Sequence, residues 1–532
     1  MAPSTVSKEA DTSHVEFGDH AQPDANEVGV VKTLVTNPKI IGLALFANLG
    51  AIMYGYDNLA LSLCLSMFPF QMQFGEQQQT ATGVSYIIPA YWQSLWGSLA
   101  QVATAIGALV IAAVSDRFGR KISFVLAGVF SAAGIAILYT ASHPGTFLAG
   151  KMVNGISLGM AMSTGQTYVS EIAPVKIRGI LLSAYAFCLN LGLLMAASIS
   201  FARITIVDDS AYKLLFAVGW LWAGLLLTLS WVIPESPIHH VRKGDVETAK
   251  KCFKQIYGGS ANISAILTEA VRTDREEKLL ANSAKDATYL ECFRRNNWRR
   301  TRIVLYCNGL SQMVGATFVA NSPYFLVSAG MTPAHVALVI QVGMALGCGS
   351  MILTFFLLGK FSRRSIVLVA TGICAAVFLP MGIAGCFSHN TGALWAVGCL
   401  LQVAQFVGLG PAVGPAMAIA GEVSELRLRS KTQSVGFFFN YIFSTIWNVV
   451  VPYMFNADQG NLGGKMGFIY FATSIIAVVV LFFEMPETKD MSYEQLDQLF
   501  ERKVPARKFQ SVVEASRIAN AAQPDLKLES EV

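Results

Sequence analysis

Between residues 39 and 485 the chain alternates long apolar runs with short polar connections. Twelve such runs, each near the ~20 residues a helix needs to cross a bilayer, occupy 39–61, 90–114, 122–141, 146–169, 180–202, 213–233, 303–327, 334–358, 366–386, 393–420, 433–455 and 466–485. They predict an all-α membrane protein with twelve transmembrane helices. The connections differ in charge. Those after the first, third, seventh and ninth runs contain no Lys or Arg, and the fifth and eleventh contribute only Arg203, Lys213 and Lys465. The even-numbered connections carry Arg117, Arg120 and Lys121; Lys176 and Arg178; Lys360, Arg363 and Arg364; and Arg427, Arg429 and Lys431. Basic connections face the cytosol, so the even ones and both termini are expected there. The expected division is a disordered cytosolic tail at 1–38, a six-helix bundle at 39–234, a cytosolic linker with short helices at 235–302, a second bundle at 303–485 and a cytosolic tail at 486–532. The polar, acidic start (Glu9, Asp11, Glu16, Asp19, Asp24, Glu27) has no basic segment leading into an apolar core, so no signal peptide is expected.

Composition agrees with the pattern. Of 532 residues 53% are hydrophobic and 14% charged, against about 25% charged in soluble domains. The net charge of +5 is already sorted by topology and needs no nucleic acid. Nine cysteines lie mostly within apolar runs at no metal-ligand spacing, as buried small side chains do. No nucleophile–base or metal constellation appears, and no extramembrane segment is large enough for a catalytic domain. An enzyme, a cofactor and a metal are therefore not expected. The expected partners are a bilayer, a small solute and a proton, with the chain a monomer.

The two halves echo each other. "RFGRK" at 117–121 returns as "KFSRR" at 360–364, Glu171 and Arg178 as Glu422 and Arg429, and "PESP" at 234–237 as "PETK" at 486–489. All three are offset by roughly 250 residues, which argues for a six-plus-six duplication and for a solute site between the halves at mid-depth. "SDRFGRK", "GKMVNGISLGM…TYVSEIAPVKIRG", "PESP" and "PETK", in that order, resemble the sugar porter family of the major facilitator superfamily over residues 40–500, and "YIIPAYWQSLWG", "SELRLRSKT" and "PESPIHHVRKGD" are most similar to its fungal members, the α-glucoside and oligosaccharide permeases among them. The resemblance implies a 6+6 pseudo-symmetric fold and uptake of a mono- or disaccharide by alternating access, often with a proton.

The charges at the expected cytosolic face invite a reading of their own. Asp116, Arg117, Arg120, Glu171, Arg178, Glu235, Glu422 and Arg429 are expected to form interhelical ion pairs that hold this side shut and break on opening; the alternative is that the basic members only set topology.

Asp57 is the anomaly of the first run. An acid in hydrocarbon costs about 2.5–3.5 kcal/mol even on lenient scales. It falls in the outer third of the first run, and Lys151 falls in the outer third of the fourth, which runs the other way. Pairing relieves both. The resemblance adds that proton-coupled sugar porters carry an acid in a "GYD" motif and an Arg in a "GR" motif. Here "GYD" is intact and "GR" has become Gly150-Lys151. Asp57 is accordingly the expected proton acceptor; a permanent bridge to Lys151, or an acid facing a wet vestibule, are the alternatives.

A neutral sugar needs amides and hydroxyls. Gln93, Gln166, Asn190, Gln312, Thr317 and Asn440 are the chosen candidates from a set that includes Gln101, Asn308, Gln402, Gln405, Ser444 and Asn448. Gln312 and Asn440 match sugar-binding positions of the family. Other family positions are lost, with Ser311, Ala186 and Met417 standing where a Gln, a Gln and a Trp are usual; the ligand is then larger than a hexose, such as a disaccharide, or no ordinary sugar. Any single amide is as readily an interhelical bond. "GLGPAVGP" at 408–415, with Gly410, Pro411 and Pro415, reads as a hinge or static kink in the tenth run. A proton-coupled sugar transporter of the plasma membrane is expected, with facilitated diffusion, export of a sugar-like metabolite or a transport-inactive sensor as alternatives.

Overall fold

The computed structural model describes residues 38–80, 83–258, 263–283, 288–387, 390–425, 428–456, 458–489, 491 and 493–521. The disordered tail expected at 1–38 lies outside them except for Pro38. Twelve long helices, α1–α12, follow in order. The first half holds α1 (Pro38–Leu65), α2 (Ala90–Phe118) and α3 (Arg120–Thr140), then α4 (Pro144–Ile172), α5 (Val175–Arg203) and α6 (Ser210–Val232). In the second half α7 is built from Arg295–Met313, Ala316–Ala320 and Ser322–Ser328, followed by α8 (Pro333–Lys360) and α9 (Arg363–Ala384). It closes with α10 (Thr391–Val423), α11 (Arg429–Phe455) and α12 (Met466–Glu484).

Eleven of these helices are long and apolar enough to cross a membrane by length and composition. The exception is α4. At 29 residues and ~1.5 Å per residue it is long enough, but Lys151, Asn154 and its run of Gly, Ser and Thr lower its apolarity. Those small residues have a packing purpose, since α4 sits among α1, α2 and α3. A Cβ on Gly155 would stand 2.7 Å from the Ala100 carbonyl, and one on Gly159 would run into that of Thr104. Close backbone approach of this kind replaces the hydrophobic drive that lipid cannot supply between helices.

Helices α1–α6 pack on one another, as do α7–α12, and the halves meet chiefly where α2 lies along α11 and α5 along α8. The two seams are related by the pseudo-symmetry. Two elements were not anticipated. Glu76–Thr80 pairs antiparallel with Gly83–Ile87 in the α1–α2 connection, a hairpin in an otherwise helical chain among the described residues. And α7 is interrupted at Gly315, whose φ of +84° only Gly adopts without strain.

The expected break in α10 takes a definite form. Residues Gly408–Val413 make a π-helical turn with Pro411 inside it, and Pro415 lies in the first turn of the α-helix that follows. Pro411 has no N–H to offer the carbonyl five residues back, which is that of Phe406. Ser350 Oγ of α8 donates to that carbonyl instead, and the broken backbone is thereby satisfied inside the protein.

Short helices at Pro237–Arg242, Val246–Tyr257 and Ile263–Ser283 link the halves. Asp245 caps the second by accepting from Thr248 N at 3.1 Å. Beyond α12, the helix Tyr493–Glu501 packs back on the second half, with Leu496, Leu499 and Phe500 buried. Arg300 pairs there with Asp497.

Candidate functional site

Asp57 and Lys151 do meet. Lys151 Nζ donates to Asp57 Oδ2 at 2.6 Å, and Asn154 Nδ2 donates to Asp57 Oδ1 at 2.9 Å. Lys151 and Asn154 are three residues apart on α4, so both project from one face. Ser131 of α3 in turn donates to Asn154 Oδ1 at 3.2 Å, which fixes the amide's orientation. The lysine is 3% exposed and the carboxylate 16%, because Asp57 opens on a cavity between the halves.

That cavity has two adjoining chambers of about 60 and 160 Å³, well above the 10–15 Å³ that one water requires. They share Tyr54, Asn58, Gln101, Ala320 and Asn448. Asp57, Lys151 and Gln93 line the smaller, and Gln312, Thr317, Gln405 and Ser444 line the larger. Of the expected solute ligands, then, Gln93, Gln312 and Thr317 line these chambers. Thr317 donates to Gln312 Oε1 at 2.6 Å across the Gly315 break, which leaves the Gln312 amide nitrogen free of that bond.

Gln166, Asn190 and Asn440 do not line these chambers. Gln166 donates to Asn48 of α1 at 3.4 Å, Asn190 to the Ala186 carbonyl of its own helix at 3.1 Å, and Asn440 to the Asn308 carbonyl of α7 at 2.5 Å. Tyr54 and Asn58 are lining residues not among the candidates. They lie one turn apart and Asn58 directly follows Asp57, so helical spacing from the acid was the available signal. Tyr54 donates to Gln101 Oε1 at 3.3 Å.

The end of the bundle away from the basic connections is closed across the halves. Ala90 N donates to Asp458 Oδ2 at 3.1 Å, Ser94 Oγ to the Val449 carbonyl at 3.0 Å and Asn456 Nδ2 to the Ile88 carbonyl at 3.0 Å. At the basic end, each half carries its own charge network. Arg120 grips Glu171 through Nε at 2.9 Å and Nη2 at 2.7 Å, and donates Nη1 to the Ser115 carbonyl at 2.8 Å. Glu235 accepts from the N–H groups of Arg120 and Lys121 at 2.8 and 3.1 Å, at the positive N-terminus of α3. The second half repeats this: Glu487 accepts from the N–H groups of Arg363 and Arg364 at 3.2 and 3.0 Å, and Arg363 pairs with Glu422. Gly119, at φ +98°, makes the tight α2–α3 turn, and a Cβ there would stand 2.5 Å from Glu235 Oε2.

For Glu171 the partner differs from that expected: the sequence spacing pairs it with Arg178, whereas it is held by Arg120, with Arg242 at 3.7 Å. Glu422 is held by Arg363. Arg178 donates Nε to the Ala173 carbonyl at 3.3 Å. Arg117 lies over the Phe118 ring, and Asp116 is 72% exposed at 3.4 Å from Arg120. These pairs bind helices within a half; none of them joins the two halves.

His239 completes the first network. Its Nδ1 lies 3.2 Å from Arg120 Nη1, a geometry in which neutral imidazole accepts. Burial, reinforced by Lys243 and Arg120 and opposed by Glu235, holds its pKa below the ordinary 6.5. Protonation puts a cation against Arg120. The stability this residue contributes is therefore complete above the ordinary histidine value and is lost as pH falls below it. His239→Gln keeps an acceptor without the titration, and flattens the acid limb of the thermal-unfolding midpoint against pH between 7 and 5.

Residues 43–500 match the family model described as Sugar (and other) transporter. An MFS transporter, fmqE, of Aspergillus fumigatus is 31% identical over 89% of this chain and 88% of its own. The general alpha-glucoside permease of Saccharomyces cerevisiae is 27% identical over 93% and 82%. Among solved structures, the inward open xylose transporter XylE of E. coli superposes with TM-score 0.67 at 21% identity, over 86% of this chain and 99% of that one. That likeness shows the fold: twelve helices in a 6+6 major facilitator arrangement.

Proposed function

The chain belongs to the sugar (and other) transporter family of the major facilitator superfamily, and from that premise we propose that it carries a hexose or an α-linked disaccharide through a multi-pass membrane fold by alternating access, in symport with a proton. The observation that carries the coupling is the Lys151–Asp57–Asn154 cluster opening on a cavity lined by amides. As a carboxylate, Asp57 accepts from both neighbours. Once protonated it keeps one fewer acceptor and gains an O–H donor, so the bonds between α1 and α4 loosen and solute is admitted or released. Lys151 remains beside it as a point charge, without the bidentate fork of the usual Arg. The permease relative is named for alpha-glucosides and a solved neighbour for proton:xylose symport; both support this reading.

The charge networks at the basic end act as conformational elements, each making its half move as one body, while Gly410, Pro411 and Pro415 provide the flexion in α10. The basic end faces the cytosol, both termini with it, and the plasma membrane is the site of action. Export of a sugar-like metabolite is a second reading, favoured by Ala186 and Met417 at positions where the family carries polar or aromatic groups.

Uptake of labelled glucose, maltose and xylose by yeast cells lacking their own transporters decides between these. Accumulation at pH 5 that collapses with a protonophore and weakens at pH 8 is expected. Flux indifferent to both would sink the coupling, and loss of preloaded label instead of uptake would establish export.

A further inference from the structure

Four amide atoms on α5 and α10 are buried with nothing to bond: Asn190 Oδ1, Gln405 Oε1 and both ends of Gln402. The three side chains are 1%, 3% and 5% exposed. Buried amides are otherwise almost always paired, so several orphans together mark a place completed by something else. Gln405 Nε2 is directed at the Met344 thioether, 3.1 Å away, a weak acceptor.

These amides come from opposite halves and converge on α8, where glycines leave room. A methyl group on Gly347 would stand 3.0 Å from Asn190 Oδ1 and 3.5 Å from Gln405 Nε2, and one on Gly343 would collide with the Gln402 amide. Gln405 and Met344 also line the larger chamber, so the gap adjoins it. No Asp, Glu, Lys or Arg lines that chamber; the occupant is neutral.

We propose that Asn190, Gln402 and Gln405 form a hydroxyl-binding subsite for a neutral polyhydroxylated solute, a polyol or glycoside, reached from the larger chamber and closed by the glycine face of α8. It rests on the transport reading above. An amide supplies an acceptor and a donor, which is what a hydroxyl demands of its surroundings. Asn190 Nδ2 is held by the Ala186 carbonyl one turn back along α5, which leaves its Oδ1 directed away from its own helix's bond. Because the amides belong to different halves, the subsite is complete only while α5 lies against α8 and α10; solute bound there favours that arrangement.

The test uses the full chain in transporter-deficient yeast cells with labelled glucose, maltose and xylose, comparing wild type with Gln405→Leu and Gly347→Ala. The second variant removes no hydrogen-bonding group and fills only the gap, so it stands if the first fails to fold. KM for the transported probe rises about 3–10-fold in each, as expected for one lost hydrogen bond, while Vmax at equal surface abundance changes less than twofold. A deoxy analogue lacking the engaged hydroxyl shows no difference between wild type and variants. Wild-type flux with KM unmoved in both variants means that water fills the gap, and overturns this inference alone. Absence of wild-type flux for all three probes overturns the transport reading with it.

Discussion

Asp57→Asn abolishes accumulation of solute above its outside concentration while leaving exchange of labelled for unlabelled solute measurable. Asn has the shape of Asp and keeps one acceptor toward Lys151 and Asn154, but it cannot take up the coupling proton. The side effect to separate is stability. Lys151 is 3% exposed, and removing the charge of its partner leaves a cation buried, a change that costs about 3–5 kcal/mol at fully enclosed sites and less here because Asp57 opens on the cavity. Pairing Asp57→Asn with Lys151→Met removes both charges. If the double variant folds and exchanges but still does not accumulate solute, the defect lies in coupling. Retained accumulation in Asp57→Asn would sink the assignment.

Arg120→Ala is the largest expected loss of stability, on the order of 3–5 kcal/mol. Arg120 is 1% exposed, and its removal strips Glu171, itself 6% exposed, of a two-pronged partner, while the Ser115 carbonyl keeps only the Gly119 N–H. Thermal unfolding of detergent-purified protein reads the effect. Two comparisons test the cause. Arg363→Ala costs less, because Arg363 and Glu422 are 25% and 26% exposed and water reaches both. Asp116→Ala changes stability little, since its carboxylate is 72% exposed and the pair with Arg120 is 3.4 Å long. A loss as large in Asp116→Ala as in Arg120→Ala would mean that burial is not what matters.

The two pairs differ in how far the amino-acid sequence alone specifies them. Asp57 and Lys151 could be matched because each is intolerable alone in hydrocarbon and the first half offers no other similarly placed cation. Arg120 and Glu171 could not. Several basic residues crowd that end of the chain, water there tolerates any of them unpaired, and the nearest in sequence, Arg178, points elsewhere. The choice was made by the approach of α3 to the end of α4. Amides were harder still. Gln312 and Gln166 are chemically alike, and only packing directs one to the cavity and the other to Asn48. The helices themselves were plain because a bilayer demands length and apolarity, whereas the hairpin at 76–87 was hidden in a polar connection with no such demand.

The closed end of the bundle has an energetic consequence. Among the described residues the contacts that shut it include, beside the packing of α2 on α11, three hydrogen bonds, two of them neutral and accepted by the carbonyls of Ile88 and Val449. Each such bond contributes about 1 kcal/mol, so losing or making one of them shifts the closure by an amount comparable to the differential affinity a small solute can supply. Such a closure also carries little net charge, and its strength is set by geometry more than by ionic strength. The resting preference of the molecule should therefore be steady across salt concentrations and easily tipped by occupancy.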